Sequence, residues 1–309
     1  MTTSPPTAAS SAKDRWWIAQ TRAAPYLFVL PFVLLFCVFL LYPLARSMQM
    51  SFYRMAGPRH QEFVGLGNYR QLLFHDRRFL WAVANTAIFT VSFLILQIPA
   101  SLGLAILLNS RLVRFRNVFR FAFFSSYLVG PVFVAVVFEE LFRPRGFLNE
   151  LIGAIRGSPF EVSWLSKATL VMPAILIASL WLSVGFGMIY FLAGLQAIDP
   201  QLYEAANVDG AGRWRRIWHI TLPGLRPVLA YVVLVGTIGA FQLFEIPYVL
   251  LGGAGPSYAG LTIVMFLFAT GFQTGDLGYA SAIGWLLVLI LLIVAIAQVR
   301  LMRSSEREA

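Results

Sequence analysis

Long apolar stretches alternate with short polar connections along the chain. Six of the stretches reach the roughly 20 residues that an α-helix needs to cross the hydrocarbon core of a bilayer. They lie at residues 25–45, 79–108, 119–142, 168–195, 225–251 and 280–301. The pattern therefore predicts an all-α polytopic membrane protein, with six transmembrane helices within residues 25–302.

The polar ends and one short apolar run complete this outline. Residues 1–24 begin with the low-complexity run MTTSPPTAASSA and predict a disordered tail, and residues 303–309 form a second short tail. The apolar run 26–44 is too long for the core of a signal peptide, so it predicts a retained helix. The run 261–269 is too short to span a bilayer, which places it in an outer loop, on the membrane or against the bundle.

Composition excludes several other classes of protein. Of the 309 residues, 59% are hydrophobic and 12% are charged, whereas soluble domains are about half apolar and a quarter charged. Cys37 is the one cysteine, which excludes a disulfide within the chain and a cysteine-based zinc site. The three histidines, His60, His75 and His219, lie too far apart for a local metal motif. No GxxxxGK(S/T) motif occurs, so the chain has no P-loop for ATP.

Basic residues flank the apolar stretches and predict the orientation. The formal charge is +10, from 24 basic and 14 acidic residues, and its placement suits membrane insertion rather than nucleic-acid binding. With the N-terminus inside, fourteen of the 24 basic residues face the cytoplasm, and the outer loop 252–279 has none. The outer loop 46–78 carries six and runs against the rule. The overall bias predicts that both termini are cytoplasmic.

A charged segment between the fourth and fifth stretches differs from everything around it. Residues 202–227 read LYEAANVDGAGRWRRIWHITLPGLRP. They predict a short helix through Glu204, a break at Asp209-Gly210, and a basic, aromatic second helix that stops at Pro223. On the residues alone, an ordinary positive-inside loop with a helical hairpin explains the segment equally well.

The run EAANVDGA followed by ITLP resembles the EAA motif of permease subunits of bacterial binding-protein-dependent ABC importers. That motif consists of EAA, three residues, G, and later I-x-L-P. Four further stretches resemble the carbohydrate-type permeases, the relatives of the maltose and glycerol-3-phosphate subunits. They are FVGLGNYRQLL (63–73), FLAGLQAI (191–198), YVLLGGAGP (248–256) and DLGYASA (276–282). The resemblance covers about residues 25–302 and implies the type I ABC importer permease fold in the bacterial cytoplasmic (inner) membrane.

The resemblance also implies how transport is driven. In the family, the EAA segment is a coupling helix that sits in a cleft of a cytoplasmic ATPase, and here it corresponds to residues 202–223. The residues implied in coupling are Glu204, Ala205, Ala206, Asp209, Gly210, Ala211, Ile220, Leu222 and Pro223. Implied partners are a second, non-identical permease, two copies of the ATPase, an extracytoplasmic solute-binding protein and membrane lipid. The chain is then a transport subunit and not an enzyme, and it needs no cofactor, because ATP and Mg²⁺ bind the partner ATPase.

Two positions depart from the family pattern. The family commonly has Thr-Gly-Gly-Gly-Pro in the last outer loop, whereas residues 251–256 read Leu-Gly-Gly-Ala-Gly-Pro, which is one residue longer. Family members also often carry Asp where Glu245 stands. Both departures bear on the substrate and on the shape of the outer loop, and not on the class of transporter.

The candidate substrate pathway is a set of aromatic and polar residues inside the spans. Neutral sugar binding needs aromatic faces and a few hydrogen-bonding groups, and Glu245 is the one acidic residue of the fifth stretch, where ionisable groups mark a path or a partner. Most candidates match positions that line the cavity of maltose-type permeases, and each aromatic could instead pack in the core or face lipid. The candidates are Tyr127, Trp181, Ser183, Phe186, Thr237, Phe241, Gln242, Phe244 and Glu245.

Other functions remain as alternatives. A membrane enzyme would need convergent catalytic groups in the spans, and none is evident. A secondary transporter would show inverted repeats and ion-coordinating groups near the bilayer midplane, and it would not need an EAA segment. Within the importer class, the alternative substrate is glycerol-3-phosphate or another polyol. A phosphorylated substrate would favour basic pathway residues, but Lys and Arg occur only near the ends of the apolar stretches, so a neutral sugar is preferred.

Overall fold

The computed structural model describes residues 12–55, 61–110 and 113–307. Within these residues, fifteen α-helices are joined by one short β-hairpin, three π-helical turns and one 3-10 turn. The helices are α1 (Ala12–Phe36), α2 (Tyr42–Met50), α3 (Gly67–Phe74), α4 (Arg77–Asn109), α5 (Arg116–Leu128), α6 (Pro131–Leu141), α7 (Phe147–Arg156), α8 (Ala168–Ala197), α9 (Pro200–Val208), α10 (Arg213–Arg216), α11 (Leu222–Gly224), α12 (Arg226–Phe241), α13 (Glu245–Leu251), α14 (Ile263–Phe268) and α15 (Leu277–Arg307). The strands are β1 (Tyr53–Met55) and β2 (Gln61–Phe63), and the π-helical turns are Cys37–Leu41, Ile217–Thr221 and Ala269–Gln273.

Four helices are long and apolar enough to cross a membrane. They are Ala24–Met50, which joins α1 to α2 through a π-helical turn, α4, α8, and the Leu277–Met302 part of α15. Two further passes are helix pairs, α5 with α6 and Arg213–Gly224 with α12, which are bent by 97° and 67°. The described residues therefore provide up to six spans in an all-α membrane architecture, in agreement with the predicted fold class.

The third pass is not the single helix that was predicted over residues 119–142. α5 ends at Leu128 and α6 starts at Pro131, with the bend of 97° between them. Proline has no N–H to continue the helix and disfavours the α-conformation of the residue before it. Gly130 accordingly takes an extended backbone, with ψ of 148°. The pass is thus broken at Gly130-Pro131, and α6 packs against α13.

The fifth pass is also interrupted, although the prediction was one span over 225–251. α12 ends at Phe241, the next three residues leave the helix, and α13 starts at Glu245. Pro247 lies in the first turn of α13, where a backbone N–H would have no partner within the helix. The interruption brings polar residues to a helix end inside the bundle.

The N-terminal helix begins earlier than predicted. Residues 1–24 were expected to be disordered, but α1 starts at Ala12. The run from Ala12 to Ala24 contains Ala, Lys, Arg and Gln, which are good helix formers, and no Gly or Pro. Residues 1–11 and 308–309 lie outside the described part of the chain, and α15 continues to Arg307 through most of the predicted tail 303–309.

α8 is the central helix of the bundle, packed along α4 and against α5 and α12. Two glycines permit this close packing. A Cβ atom at Gly185 would lie 1.8 Å from the carbonyl oxygen of Phe123, and one at Gly187 would lie 2.4 Å from Nε2 of Gln97. Glycine at these two positions therefore lets α8 pack closely against α5 and α4, as small residues do in pairs of membrane helices.

Two aspartates hold together the ends of α4 and α15 on the predicted outer side. The carboxylate of Asp76 caps α4 and accepts a hydrogen bond from the hydroxyl of Tyr279 (2.9 Å). The carboxylate of Asp276 accepts hydrogen bonds from the backbone N–H of Tyr279 (2.9 Å) and of Met55 (3.3 Å). Next to them, Ile263 in α14 is fully buried, so the run 261–269 packs against the bundle, which is one of its two predicted placements.

Candidate coupling segment and transport cavity

The predicted coupling segment begins with a helix that a glycine terminates. α9 follows Asp199, whose carboxylate accepts a hydrogen bond from the N–H of Gln201 (2.9 Å). Gly210 ends the helix with φ of +70°, and the N–H of Ala211 donates to the carbonyl of Ala206 (2.9 Å). This is the Schellman pattern, in which glycine avoids the strain that a side chain would meet. The break lies where the sequence predicted it.

Two side-chain contacts hold α9 against the helix that follows. The hydroxyls of Tyr203 and Thr221 lie 3.0 Å apart, and the guanidinium of Arg216 donates to the amide oxygen of Asn207. Both contacts cross the turn at Gly210. The segment is therefore a folded hairpin and not a flexible loop.

The tip of this hairpin is exposed. Glu204, Ala205, Asp209 and Gly210 are exposed, and Val208 has 88% of its surface exposed. Within the described part of the chain, Glu204 takes part in no ion pair. The other predicted coupling residues are partly buried and support the tip from below; they are Ala206, Ala211, Ile220, Leu222 and Pro223.

The second arm ends one residue beyond the predicted stop at Pro223. The helix continues to Gly224 and bends by 67° before α12. The π-helical turn Ile217–Thr221 ends two residues before Pro223, since a proline ring clashes with the carbonyl one turn earlier and so distorts a regular α-helix. Leu225, at the bend, is buried, and a Cβ atom at Gly194 of α8 would lie 2.7 Å from it. The bend is thus in direct contact with α8.

A cavity of about 280 Å³ lies between α4, α8, α12 and the start of α13. Four predicted pathway residues line it, namely Ser183, Phe186, Gln242 and Glu245. Glu245 is the first residue of α13, is exposed, and is the one charged side chain among the lining residues. Interruption of the fifth pass therefore turns a carboxylate and an amide towards an otherwise largely apolar cavity.

A fifth predicted residue, Tyr127, supports the cavity from outside. Its ring stacks on Phe186 with the centroids 4.4 Å apart, although Tyr127 is not among the lining residues. The contact fixes the orientation of Phe186, because stacked rings restrict each other. α5 thereby contributes indirectly to the cavity wall.

Comparison with known families covers the part of the chain that contains both features. Residues 15–307 match the family described as "Binding-protein-dependent transport system inner membrane component". The chain belongs to this family. The match includes the hairpin at residues 202–223 and every residue that lines the cavity, so the resemblance inferred from the EAA segment is confirmed.

Relatives within this family are permease proteins of sugar transport systems. The chain is 38% identical over 304 residues to the arabinooligosaccharides transport system permease protein AraP of Bacillus subtilis, covering 97% of this chain and 96% of the relative. It is 33% identical to the lactose transport system permease protein LacF of Rhizobium radiobacter, over 88% and 92% of the two chains. It is 35% identical to the trehalose/maltose transport system permease protein MalF of Thermococcus litoralis, over 86% and 89%.

A solved structure has the same fold. A chain of a bacterial ABC transporter involved in the import of the acidic polysaccharide alginate superposes with a TM-score of 0.82 at 25% identity. The similarity covers 94% of this chain and 99% of that one. The chain therefore shares its overall fold with a chain of a bacterial ABC importer.

The four remaining predicted pathway residues do not line the cavity of this chain. Trp181 lines a separate pocket of about 360 Å³ between α5 and α8. Thr237 is buried, donates a hydrogen bond to the carbonyl of Val233 (2.7 Å) and accepts one from Gln298 (2.7 Å). Phe241 is buried in the core, and the ring of Phe244 packs on those of Tyr248 and Phe268, each 5.1 Å away.

Four polar residues that the sequence interpretation did not single out line the cavity instead; they are Gln97, Ser179, Tyr190 and Tyr231. Gln97 and Ser179 each have a buried side-chain oxygen without a hydrogen-bond partner among the described residues. Helical spacing was the available signal, because Ser179, Ser183, Phe186 and Tyr190 repeat at intervals of three and four. Gln97 was recognisable as a polar residue deep inside an apolar span.

Proposed function

We propose that this chain is the membrane-spanning permease subunit of an ATP-driven importer for a neutral sugar. The observation that carries the proposal is the chemistry of the cavity. Aromatic rings, hydroxyls and amides line it, and no Lys or Arg is among the lining residues. Rings that stack on a sugar, together with a few polar groups that orient it, are what a neutral carbohydrate requires.

The relatives narrow the class of sugar. Three relatives are named for arabinooligosaccharides, lactose and trehalose/maltose, which are short uncharged saccharides, whereas the solved structure, at the lower identity of 25%, belongs to an importer of the acidic polysaccharide alginate. A phosphorylated polyol such as glycerol-3-phosphate fits the cavity less well, because its charge would meet the carboxylate of Glu245 without a basic group to offset it. A short neutral oligosaccharide is therefore the proposed substrate.

The energy for transport comes from partner chains in this proposal. The sequence has no P-loop, and the exposed tip around Glu204 and Val208 is suited to insertion into a cleft of a cytoplasmic ATPase. We expect one complex to contain this chain, a second, non-identical permease and two ATPase copies, with sugar delivered by an extracytoplasmic binding protein. ATP and Mg²⁺ would bind the ATPase, while this chain would contact membrane lipid and hold no cofactor.

Reconstitution tests the proposal. This chain is co-expressed with the second permease, the ATPase and the binding protein encoded beside it, and the purified complex is placed in proteoliposomes. We expect ATP-dependent uptake from a panel of arabinotriose, lactose, trehalose and maltose, and none of glycerol-3-phosphate. Uptake by this chain alone against a gradient, or uptake of glycerol-3-phosphate in preference to the sugars, would overturn the proposal.

A further inference from the structure

Two tyrosines occupy one end of the transport cavity. Tyr190 on α8 and Tyr231 on α12 line it, as do Ser179 and Gln242 towards the other end. Ser179 and Tyr190 are eleven residues apart on one helix, which corresponds to roughly 16 Å along the helix axis. The cavity therefore has polar side chains at both ends, an outer group of Ser179, Gln242 and Glu245 and an inner pair of tyrosines. Ser183 and Gln97, which lies beside Gly187, are between the two ends.

The two tyrosines interact with each other but leave hydrogen-bonding capacity unused. The hydroxyl of Tyr231 donates to that of Tyr190 over 3.4 Å, and the ring centroids lie 5.0 Å apart. This distance is at the long end for a hydrogen bond between hydroxyls, so the contact is weak. Among the described residues neither hydroxyl has another hydrogen-bond partner. Each can therefore donate to and accept from a ligand that replaces the contact.

The surroundings of the pair favour an uncharged ring. The ring of Phe186 meets that of Tyr190 edge-on, with the centroids 4.9 Å apart, so the aromatic surface is continuous from Phe186 to Tyr231. Val232, Val235 and Gly236 line the cavity beside Tyr231. Aromatic faces next to two hydroxyls, without a nearby charge, match the surface of a sugar ring.

We propose that Tyr190 and Tyr231 form an inner sugar subsite, distinct from the outer polar group at Ser179, Gln242 and Glu245. The inference rests on the proposed function, because it assumes that a neutral sugar enters the cavity. A short oligosaccharide contacts both groups at once, whereas a monosaccharide contacts them in turn. The subsite bridges α8 and α12, which flank the coupling segment, so movement of that segment changes the distance between its two halves.

A cysteine reporter next to the subsite tests the proposal. Val235 lines the cavity one helical turn from Tyr231, so a Val235→Cys variant in a Cys37→Ser background reports occupancy without removing either tyrosine. The complete complex, with other cysteines replaced, is labelled with a methanethiosulfonate reagent in the presence of arabinotriose, maltose or lactose. With both tyrosines present, at least one sugar is expected to slow labelling by about fivefold or more.

The decisive comparison removes only the two hydroxyls. Tyr190→Phe with Tyr231→Phe keeps both rings, and protection of Val235→Cys is expected to disappear. Tyr42→Phe is the matched control, because Tyr42 is an exposed tyrosine of the first span that does not line the cavity, and protection should persist there. Equal protection with and without the hydroxyls overturns the inner subsite but leaves sugar entry intact. No protection by any of the three sugars, even with both tyrosines present, contradicts the subsite and the proposed function together.

Discussion

Gly210 and Gly212 offer a matched test of backbone conformation in the coupling segment. Gly210 has φ of +70° and Gly212 has φ of −64°, and a Cβ atom at either would have no neighbour within 4 Å. Gly210→Val is expected to cost about 1–2 kcal/mol, because a branched side chain disfavours positive φ. Such a cost corresponds to a roughly tenfold loss of ATPase association, measured as recovery of the ATPase with the purified permease pair.

Gly212→Val adds the same side chain where φ is already negative. It should therefore retain ATPase association close to that of the unmodified chain. Binding of ligand by the separate binding protein should not change in either variant. Equal loss in both variants would mean that bulk, and not backbone conformation, disturbs the segment.

Glu204 tests the charge of the same tip. It is exposed and takes part in no ion pair within the described residues, so its carboxylate is available to a partner. Glu204→Lys is expected to abolish stimulation of ATP hydrolysis by the liganded binding protein, since like charges juxtaposed at an interface cost several kcal/mol. The control is Glu150→Lys, which reverses an exposed charge in α7, outside the coupling segment. Normal stimulation of ATP hydrolysis in the Glu204→Lys variant would contradict the coupling role, and the segment would then be an ordinary charged loop.

At the scale of helices, the sequence predicts where a helix breaks, but it does not predict which face of a helix lines the cavity. The break at Gly210 follows from the residues around it, and the structure has it there. Which side of α12 faces the cavity depends instead on packing against α4 and α15. Thr237 and Phe241 lie one helical turn apart and both point into the core, whereas Gly236 and Ala240 line the cavity. Composition within the span could not distinguish these two faces.

The bend at Gly130-Pro131 is a second feature that the sequence does not predict. The apolar run 119–142 has the length of a span, and hydropathy alone carries no information on direction. Pro131 was recognisable as a possible break, but a proline can equally produce a mild kink. Packing of α6 against α13 provides the tertiary contact that accompanies the larger bend.

Close packing of α8 on α5 depends on Gly185. A Cβ atom there would lie 1.8 Å from a backbone oxygen, that of Phe123, so the helices must separate to accept one. Gly185→Ala is expected to destabilise the bundle by about 1–3 kcal/mol, as overpacking does, and to lower the thermal unfolding midpoint of the detergent-purified complex. Gly103→Ala in α4 is the matched control, because its Cβ would meet nothing within 4 Å, and it should leave the midpoint unchanged or raised. A similar decrease in both variants would contradict this account of the helix pair.

For the whole molecule, the first span and the first outer loop indicate contacts beyond this chain. None of the most apolar part of Ala24–Met50 is buried, so lipid or another chain must cover it. In the loop 46–78, Arg54 donates to the side chain of Gln71 (3.0 Å), and the guanidinium of Arg78 lies 5.6 Å from the ring centroid of Tyr258. Some of the basic residues that run against the positive-inside rule therefore have structural partners on the predicted outer side.

Orientation is the property of the whole chain on which every other assignment depends, and it can be tested with single cysteines. In a Cys37→Ala background, Gly212→Cys places a thiol in the coupling segment and Ser158→Cys places one in the exposed connection between α7 and α8. Because the basic residues of the coupling segment favour the cytoplasm, an impermeant maleimide added to intact cells should label Ser158→Cys and not Gly212→Cys. Both should react once the membrane is opened by detergent, which controls for folding and access. Labelling of Gly212→Cys in intact cells would place the segment outside, where no ATPase could reach it, and the coupling role of Glu204 and Gly210 would have to be abandoned.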